Sequence, residues 1–499
     1  MYTILKVGLI LAVLVAPILA FYFTDVGSLI VVSAYGIYIG LYSFIQILCS
    51  WLNRRNIEKI TREALPSDKF YNILVVGYRE DPVLFKRCLE SISLFTYNHN
   101  VNKILVIVDG DSQEDEYMVD IFNDVFLLDS TVEKTYEGYT NTTEKVICIP
   151  QEHGGKRSVL YTGLKLSCEQ GVYGVICTDS DTVFDQDAVR NLQVVLEYEE
   201  DIGAVTGMVE IINRGSVIAY MSHLRYWFAC NIERAYQSYN GCVLCVSGPL
   251  GVYKTEYLEL FLEDWVNQTF LGTPCTYGDD RHLTNNILLL GKKVLYTHLA
   301  VCYTDTPESV VRFFTQQVRW CKSSYREVLW TVKCLGLHSS SMTVDLIYQT
   351  LYSLLVLGSL VYIVYFGTST QLLIYIFTIT FFNNMKGLYA VFLTNEMRYL
   401  LYSLYGFVYI SIIVPARIYA GFTMKNVSWG TSSRLNLFDK LDAGIVVLGV
   451  WNMLLLAGVC WNIARDIEFL NTGYILFGGM GLYVFVNYIF LMYNVFIKT

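Results

Sequence analysis

The chain has 499 residues, 54% of them hydrophobic and only 16% charged, with a mean hydropathy of +0.40. That composition excludes an ordinary soluble enzyme, and the length leaves room for a sizeable soluble domain plus several membrane spans. A net charge of −9, with no basic stripe long enough to follow a phosphate backbone, argues against nucleic acid as a partner.

In chain order, residues 4–23 and 27–51 are apolar runs long enough to cross about 30 Å of hydrocarbon as helices. The first has the length of a signal peptide, but a second span follows almost at once and no small-residue cleavage site is evident. Asn53-Arg54-Arg55, Lys59 and Arg62 come next, and this basic cluster places the following residues, and the N-terminus, in the cytoplasm.

Residues 70–310 alternate between strands and helices. Runs rich in Val and Ile at 72–76, 103–108, 145–149, 174–178 and 204–211 predict strands, with helices between them at 83–93 and 158–167. The alternation predicts an α/β unit with a mostly parallel sheet covered on both faces, whose ligands gather at the carboxyl ends of strands. Residues 216–235 and 311–333 read as amphipathic helices lying on the membrane surface. In the second, Arg312, Arg319, Arg326 and Lys333 recur every seven residues and so share a face.

The C-terminal third has apolar stretches at 343–366, 370–394, 399–421, 441–463 and 473–496. The fourth-from-last of these carries Asn383, Asn384 and Lys386, read either as interhelical hydrogen bonding with a snorkelling lysine or as the lining of a polar path. The stretch 399–421 contains Pro415 and Arg417, and it is expected to be interfacial or re-entrant, which leaves six true spans and keeps Trp429 cytoplasmic. The thirteen cysteines form no framework, and Cys242 and Cys245 read as reduced and structural. Asn141, Asn267 and Asn426 match the glycosylation sequon but would stay bare in the cytoplasm.

The chemistry lies in acidic motifs. Asp179-Ser180-Asp181 has the form that holds Mg²⁺ or Mn²⁺ against a diphosphate, because hard cations take oxygen ligands. One of Asp279 and Asp280, read as neighbours on a strand, is placed to take the proton from an attacking sugar hydroxyl; the alternative is an N-cap for a helix beginning near His282. His153-Gly-Gly-Lys156-Arg157-Ser158 fails the P-loop pattern, yet its Gly turn, Lys and Arg suit a phosphate. Tyr78, at the end of the first strand, offers a face to a nucleotide base.

With these residues assembled, the chain resembles the class I hyaluronan synthases, processive inverting glycosyltransferases grouped with cellulose and chitin synthases. The resemblance is carried by Val108-Asp-Gly-Asp111, Gly154-Gly-Lys-Arg157, Asp179-Ser-Asp-Thr182, Ser247-Gly-Pro-Leu-Gly251, Gly278-Asp-Asp-Arg-His-Leu-Thr-Asn285, Gln316-Gln-Val-Arg-Trp320 and Trp429-Gly-Thr431. It implies a GT-A-like, Rossmann-type α/β cytoplasmic domain on an α-helical transmembrane bundle with interfacial amphipathic helices. The expected parts are two N-terminal spans (1–52), the glycosyltransferase domain (53–310), an interfacial helix region (311–342) and a C-terminal membrane region (343–499) with a gating loop at 426–437.

By the same resemblance, Tyr78, Glu80, Asp109, Lys156 and Asp179 contact UDP, and Asp179 and Asp181 organise Mg²⁺ or Mn²⁺. Asp280 is the base. Cys275, Asp279, Arg281 and Trp320 surround the acceptor sugar. Gln316 and Arg319 meet acceptor or pyrophosphate, and Trp429, Thr431 and Arg434 close over the nucleotide. Val318 and Ser433 depart from the Thr and Gly common in the family, the latter stiffening the loop. The implied partners are UDP-GlcNAc, UDP-GlcA, nascent hyaluronan and the bilayer, with no obligatory protein partner and a plasma-membrane location. A chitin synthase is the nearest alternative, and a transporter with a regulatory nucleotide domain a more distant one.

Overall fold

The computed structural model describes residues 27–96, 99–126, 145–425 and 443–465. The apolar runs 4–23 and 473–496, the sequons at Asn141 and Asn426, and Trp429, Thr431 and Arg434 lie outside the described residues. The chain divides into two compact units. One takes its described residues from Met1–Leu48, Thr343–Tyr419 and Lys440–Thr499, the other from Cys49–Met342 and Ala420–Asp439.

The second unit is built on an eight-stranded sheet. Its strands are β1 (Tyr71–Gly77), β2 (Val101–Asp109), β3 (Val146–Gln151), β4 (Gly174–Asp179), β5 (Val183–Phe184), β6 (Ile202–Ile211), β7 (Gly251–Lys254) and, after a small hairpin of β8 (Thr269–Phe270) and β9 (Thr273–Pro274), β10 (Lys293–Thr304). The order is β3-β2-β1-β4-β7-β6-β10-β5, with β7 and β5 antiparallel to their neighbours and the rest running one way. All five strands expected from Val/Ile runs are present. The short β7 and the half-buried β10 were not expected individually.

Alternation along the strands sorts the core. Ile73, Val75, Ile104 and Val106 face one layer with Phe85 and Leu89 of α1 (Pro82–Ser93), while Leu74, Val76, Leu105 and Ile107 face the other with Val159, Leu160 and Leu164 of α2 (Lys156–Glu169). Each such fully buried aliphatic side chain contributes roughly 1.5–3 kcal/mol. α2 lies close on β1, because any side chain at Gly163 would collide with Leu74. Val76 pairs with Asp179, and Gly77 with Val108, so the carboxyl ends of β1, β2 and β4 are level.

The surface-lying helix expected over 216–235 is not what forms. α3 (Val217–Phe228) and the π-turn after it (Ala229–Arg234) bury Trp227, Phe228, Cys230 and Ile232, and Arg225 is neutralised by Glu233. The aromatic run that suggested a lipid face belongs to the core. The helix expected over 311–333 is present as Val310–Cys334, but Arg326 is buried in an ion pair with Glu327 and does not face outward.

In the first unit, Ser340–Tyr365, Ser369–Thr394, Met397–Phe422 and Ala443–Arg465 are long and apolar enough to cross a membrane, by length and composition. Lys386 donates to Gln46 at 3.4 Å, an interhelical hydrogen bond of the kind expected for this stretch. Met397–Phe422 is wound irregularly, with a π-turn at Tyr409–Ile413 just before Pro415, where a missing N–H would break a regular ladder.

Candidate active site

One side of the cluster is set by the turn between β3 and α2. Gly155 has φ +85°, a conformation that favours glycine. The Gly154 and Gly155 amides donate to Asp109 Oδ1 at 2.8 and 3.1 Å, and His153 Nδ1 lies 3.0 Å from Asp109 Oδ2. Asp109 is therefore buried beneath the turn it organises. Above it, the His153 ring stacks on Tyr78 with centroids 4.3 Å apart. The turn delivers Lys156, whose Nζ lies 2.5 Å from Asp179 Oδ1 and 3.8 Å from Asp279 Oδ2. Burial alone would push the Lys156 ammonium down, but Asp179, Asp279 and Asp280 outweigh it and hold it up. Glu80 reaches the same edge, accepting from Ser180 Oγ at 3.3 Å. Asp181 is half-buried in the turn after β4. Asp111, in contrast, is exposed and lines a separate cavity of about 420 Å³ with Gln151, Tyr161 and Lys165.

Asp279 and Asp280 are not on a strand, and the helix does not wait for His282. They are the first two residues of α4 (Asp279–Leu289), capped by Gly278 at φ +76°, where any side chain would strike Ser323 and Arg326. Two successive helical positions diverge by about 100°. Asp279 turns to Lys156, and Asp280 turns to Cys245, whose Sγ is 3.5 Å from Asp280 Oδ2. The Arg281 amide donates to Asp280 Oδ1 at 2.7 Å. Burial, then the neighbouring Asp279 charge, raises the Asp280 carboxyl above its ordinary value; Lys156 and Arg281 offset part of this. Burial and Asp280 push the Cys245 thiol up to about 12, so it stays protonated and donates. Behind the turn, Trp265 Nε1 donates to the Asp279 carbonyl at 3.3 Å, and Arg157 Nη1 donates to the Trp265 carbonyl at 2.8 Å.

On the third side, Trp320 is 39% exposed, and Tyr226 meets its ring edge-on at 6.2 Å between centroids. Arg319 lies in the field of Asp279, Asp280 and Asp179, and burial, the largest influence on it, lowers its pKa. Gln316 and Arg281 are half-buried, and Cys275 is buried beside Arg326 and Arg157. Lys156, Asp179, Asp279, Asp280 and Arg319 thus form one charged array. Sequence reasoning missed His153, Tyr226 and Cys245 as parts of the site, and took the Cys245 thiol for a structural one.

A family described as "Glycosyltransferase like family 2" matches residues 68–323, which span the sheet and the charged array. Hyaluronan synthase 3 of Xenopus laevis is 36% identical over 89% of this chain and 84% of its own length. Hyaluronan synthase 3 of Homo sapiens is 35% identical over 89% and 86%, and hyaluronan synthase 2 of Rattus norvegicus is 33% identical over 93% and 88%. The chain belongs to the hyaluronan synthase family. It is a glycosyltransferase and a membrane protein. The solved structure of a mannosyltransferase, PcManGT from Pyrobaculum calidifontis in complex with GDP-Man and Mn²⁺, matches 85% of this chain and 99% of its own with a TM-score of 0.41 and 15% identity.

Proposed function

We propose that this member of the hyaluronan synthase family is a processive hyaluronan synthase that adds GlcNAc and GlcA alternately from UDP-GlcNAc and UDP-GlcA. What carries the reading is the lysine bridge: Lys156 lies between the Asp179 carboxylate and the Asp279–Asp280 turn, so a diphosphate site and a proton acceptor share one edge of the sheet. Tyr78 and His153 flank the place for the base, and Lys156 and Arg319 neutralise the diphosphate. Asp280, held by the Arg281 amide and Cys245, takes the proton from the acceptor hydroxyl as that oxygen attacks the anomeric carbon. Trp320, with Tyr226 at its edge, carries the acceptor ring.

The half-exposed carboxylates of Asp179 and Asp181 are hard oxygen donors fit to hold Mg²⁺ or Mn²⁺ together with phosphate oxygens. When bound, the cation offsets charge on the departing UDP. The positive cluster after residue 52 supports a cytoplasmic site; the resemblance to hyaluronan synthases is the ground for the plasma membrane, for an interfacial 399–421, for Trp429, Thr431 and Arg434 gating the nucleotide, and for no obligatory protein partner.

The deciding experiment gives the purified protein each UDP-sugar alone and then both. Hyaluronidase-sensitive polymer only with both is expected; polymer from UDP-GlcNAc alone would assign a chitin-type product. Trp320→Ala is expected to shorten the product and weaken acceptor engagement about tenfold while nucleotide affinity holds; unchanged chain length would remove the stacking role. Because Asp279 raises the pKa of Asp280, Asp279→Asn should lower it, moving the acid limb of kcat/KM to lower pH; a limb that stays or rises would contradict this coupling.

A further inference from the structure

Arg157 follows Lys156 at the start of α2, yet its side chain is buried behind the Asp279–Asp280 turn, with 4% of its surface exposed. A guanidinium carries five N–H donors. Here Nη1 donates to the Trp265 carbonyl at 2.8 Å, while Nε and Nη2 are buried with no hydrogen-bond partner among the described residues. The Trp265 ring lies against the charge, 5.0 Å from its centroid to the guanidinium carbon, which compensates a desolvated cation only in part. Burial lowers the Arg157 pKa; Asp279 is the strongest attraction set against it, and Arg326 adds like-charge repulsion.

Such an arginine is a poor way to stabilise a core. An apolar side chain of similar length would fill the space without desolvating a charge, and replacements of this kind are often neutral or stabilising. The Trp265 carbonyl would keep a donor, since the Gln268 amide reaches it at 3.4 Å. What the guanidinium does reach is the turn that presents the base. Trp265, fully buried in the short helix Leu262–Val266, passes the contact on through Nε1, which donates to the Asp279 carbonyl at 3.3 Å. Two neighbouring residues of α2 thus hold the first residue of α4: Lys156 through the Asp279 carboxylate at 3.8 Å, and Arg157 through the indole.

We propose that Arg157 is a positioning residue for sugar transfer: through Trp265 it fixes the backbone at Asp279, and thereby the aim of Asp280 at the acceptor hydroxyl. The inference rests on the reading of Asp280 as the base. Its consequence is a split between activity and stability, because the charge is kept in the core for the reaction and not for the fold.

The test uses full-length enzyme in lipid nanodiscs and follows UDP release per UDP-binding site. The sites are counted by titration in the same sample, so unfolded protein does not enter the rate. Arg157→Met is expected to lower kcat by about 10- to 100-fold, the range for a small misplacement of a reacting group, with KM for the UDP-sugars held within about twofold. Its thermal midpoint should equal or exceed that of the unsubstituted enzyme. Trp265→Phe, which keeps a ring but loses the indole donor, should lower kcat in the same direction. A kcat within about threefold of normal in Arg157→Met, or a midpoint that falls along with it, would overturn the positioning role. Normal turnover in Trp265→Phe would overturn the route through the indole. Asp280→Asn is measured alongside: near-normal transfer there removes the base reading, and this inference with it, whereas an inactive Asn variant beside an active Met variant removes this inference alone.

Discussion

Asp280→Asn is expected to lower the rate of sugar transfer by about 10²- to 10⁴-fold, the range associated with loss of a positioned general base, while UDP binding stays within about twofold. The substitution is nearly isosteric. The amide oxygen can still accept from the Arg281 backbone, which meets Asp280 Oδ1 at 2.7 Å, so the α4 cap survives. The lost property is the ability to accept a proton from the acceptor hydroxyl. Lys156, which faces Asp179 and Asp279, stays in place to hold a diphosphate. Single-turnover transfer and UDP titration on the same sample separate the two effects. Transfer at near-normal rate in the Asn variant would take the base role from Asp280.

The second large effect falls on stability. Glu327 is fully buried and accepts from Gln268 at 3.0 Å, Asn285 at 3.1 Å and Arg326 at 3.1 Å, with His282 Nδ1 at 2.9 Å. Burial by itself would raise its carboxyl pKa. The bond to His282, its charge, Gln268 and Arg326 outweigh burial and bring it down to about 2. Glu327→Ala leaves Arg326 unpaired and should destabilise the unit by about 3–5 kcal/mol. Activity should fall as well, because Arg326 also donates to the Tyr277 carbonyl in the turn that presents Asp279 and Asp280. A thermal unfolding curve on the detergent-solubilised protein reads this directly, and an unshifted midpoint would contradict it.

The pH dependence has a fixed sign. A depressed carboxyl stabilises the fold fully above its unfolded value of about 4.3, and that stability is lost as pH falls toward 2. His282, lowered chiefly by burial, adds a loss in the same direction, beginning as pH drops below about 6.5, where the unfolded side chain takes up a proton. Acid should therefore melt the unsubstituted protein more than it melts the Glu327→Ala variant.

Strands were legible because their signal is local. Val and Ile runs ending in Gly77, Asp109 and Asp179 carry their own burial pattern, and parallel neighbours bring such ends level. The places of Asp109 and Asp179 were legible for the same reason, since each ends a strand whose Val and Ile run marks it. The helix start at Asp279 was not, since it depends on the left-handed Gly278 and on Arg326 and Ser323 closing against it from 45 or more residues away. Likewise, a Trp-Phe run next to arginines is the same string on a membrane surface or in a core, and only packing against the sheet chose the core for 216–235.

The chain's own order of residues determined that this is a membrane protein with an α/β domain bearing a carboxylate-rich edge, because hydropathy and strand periodicity act over a few residues at a time. Tertiary structure alone decided which carboxylate faces the lysine and which the thiol, and that Asp109 accepts from the amides of a glycine turn. Those outcomes depend on contacts between distant segments, where burial sets both the orientation of a charge and the cost of leaving it unpaired.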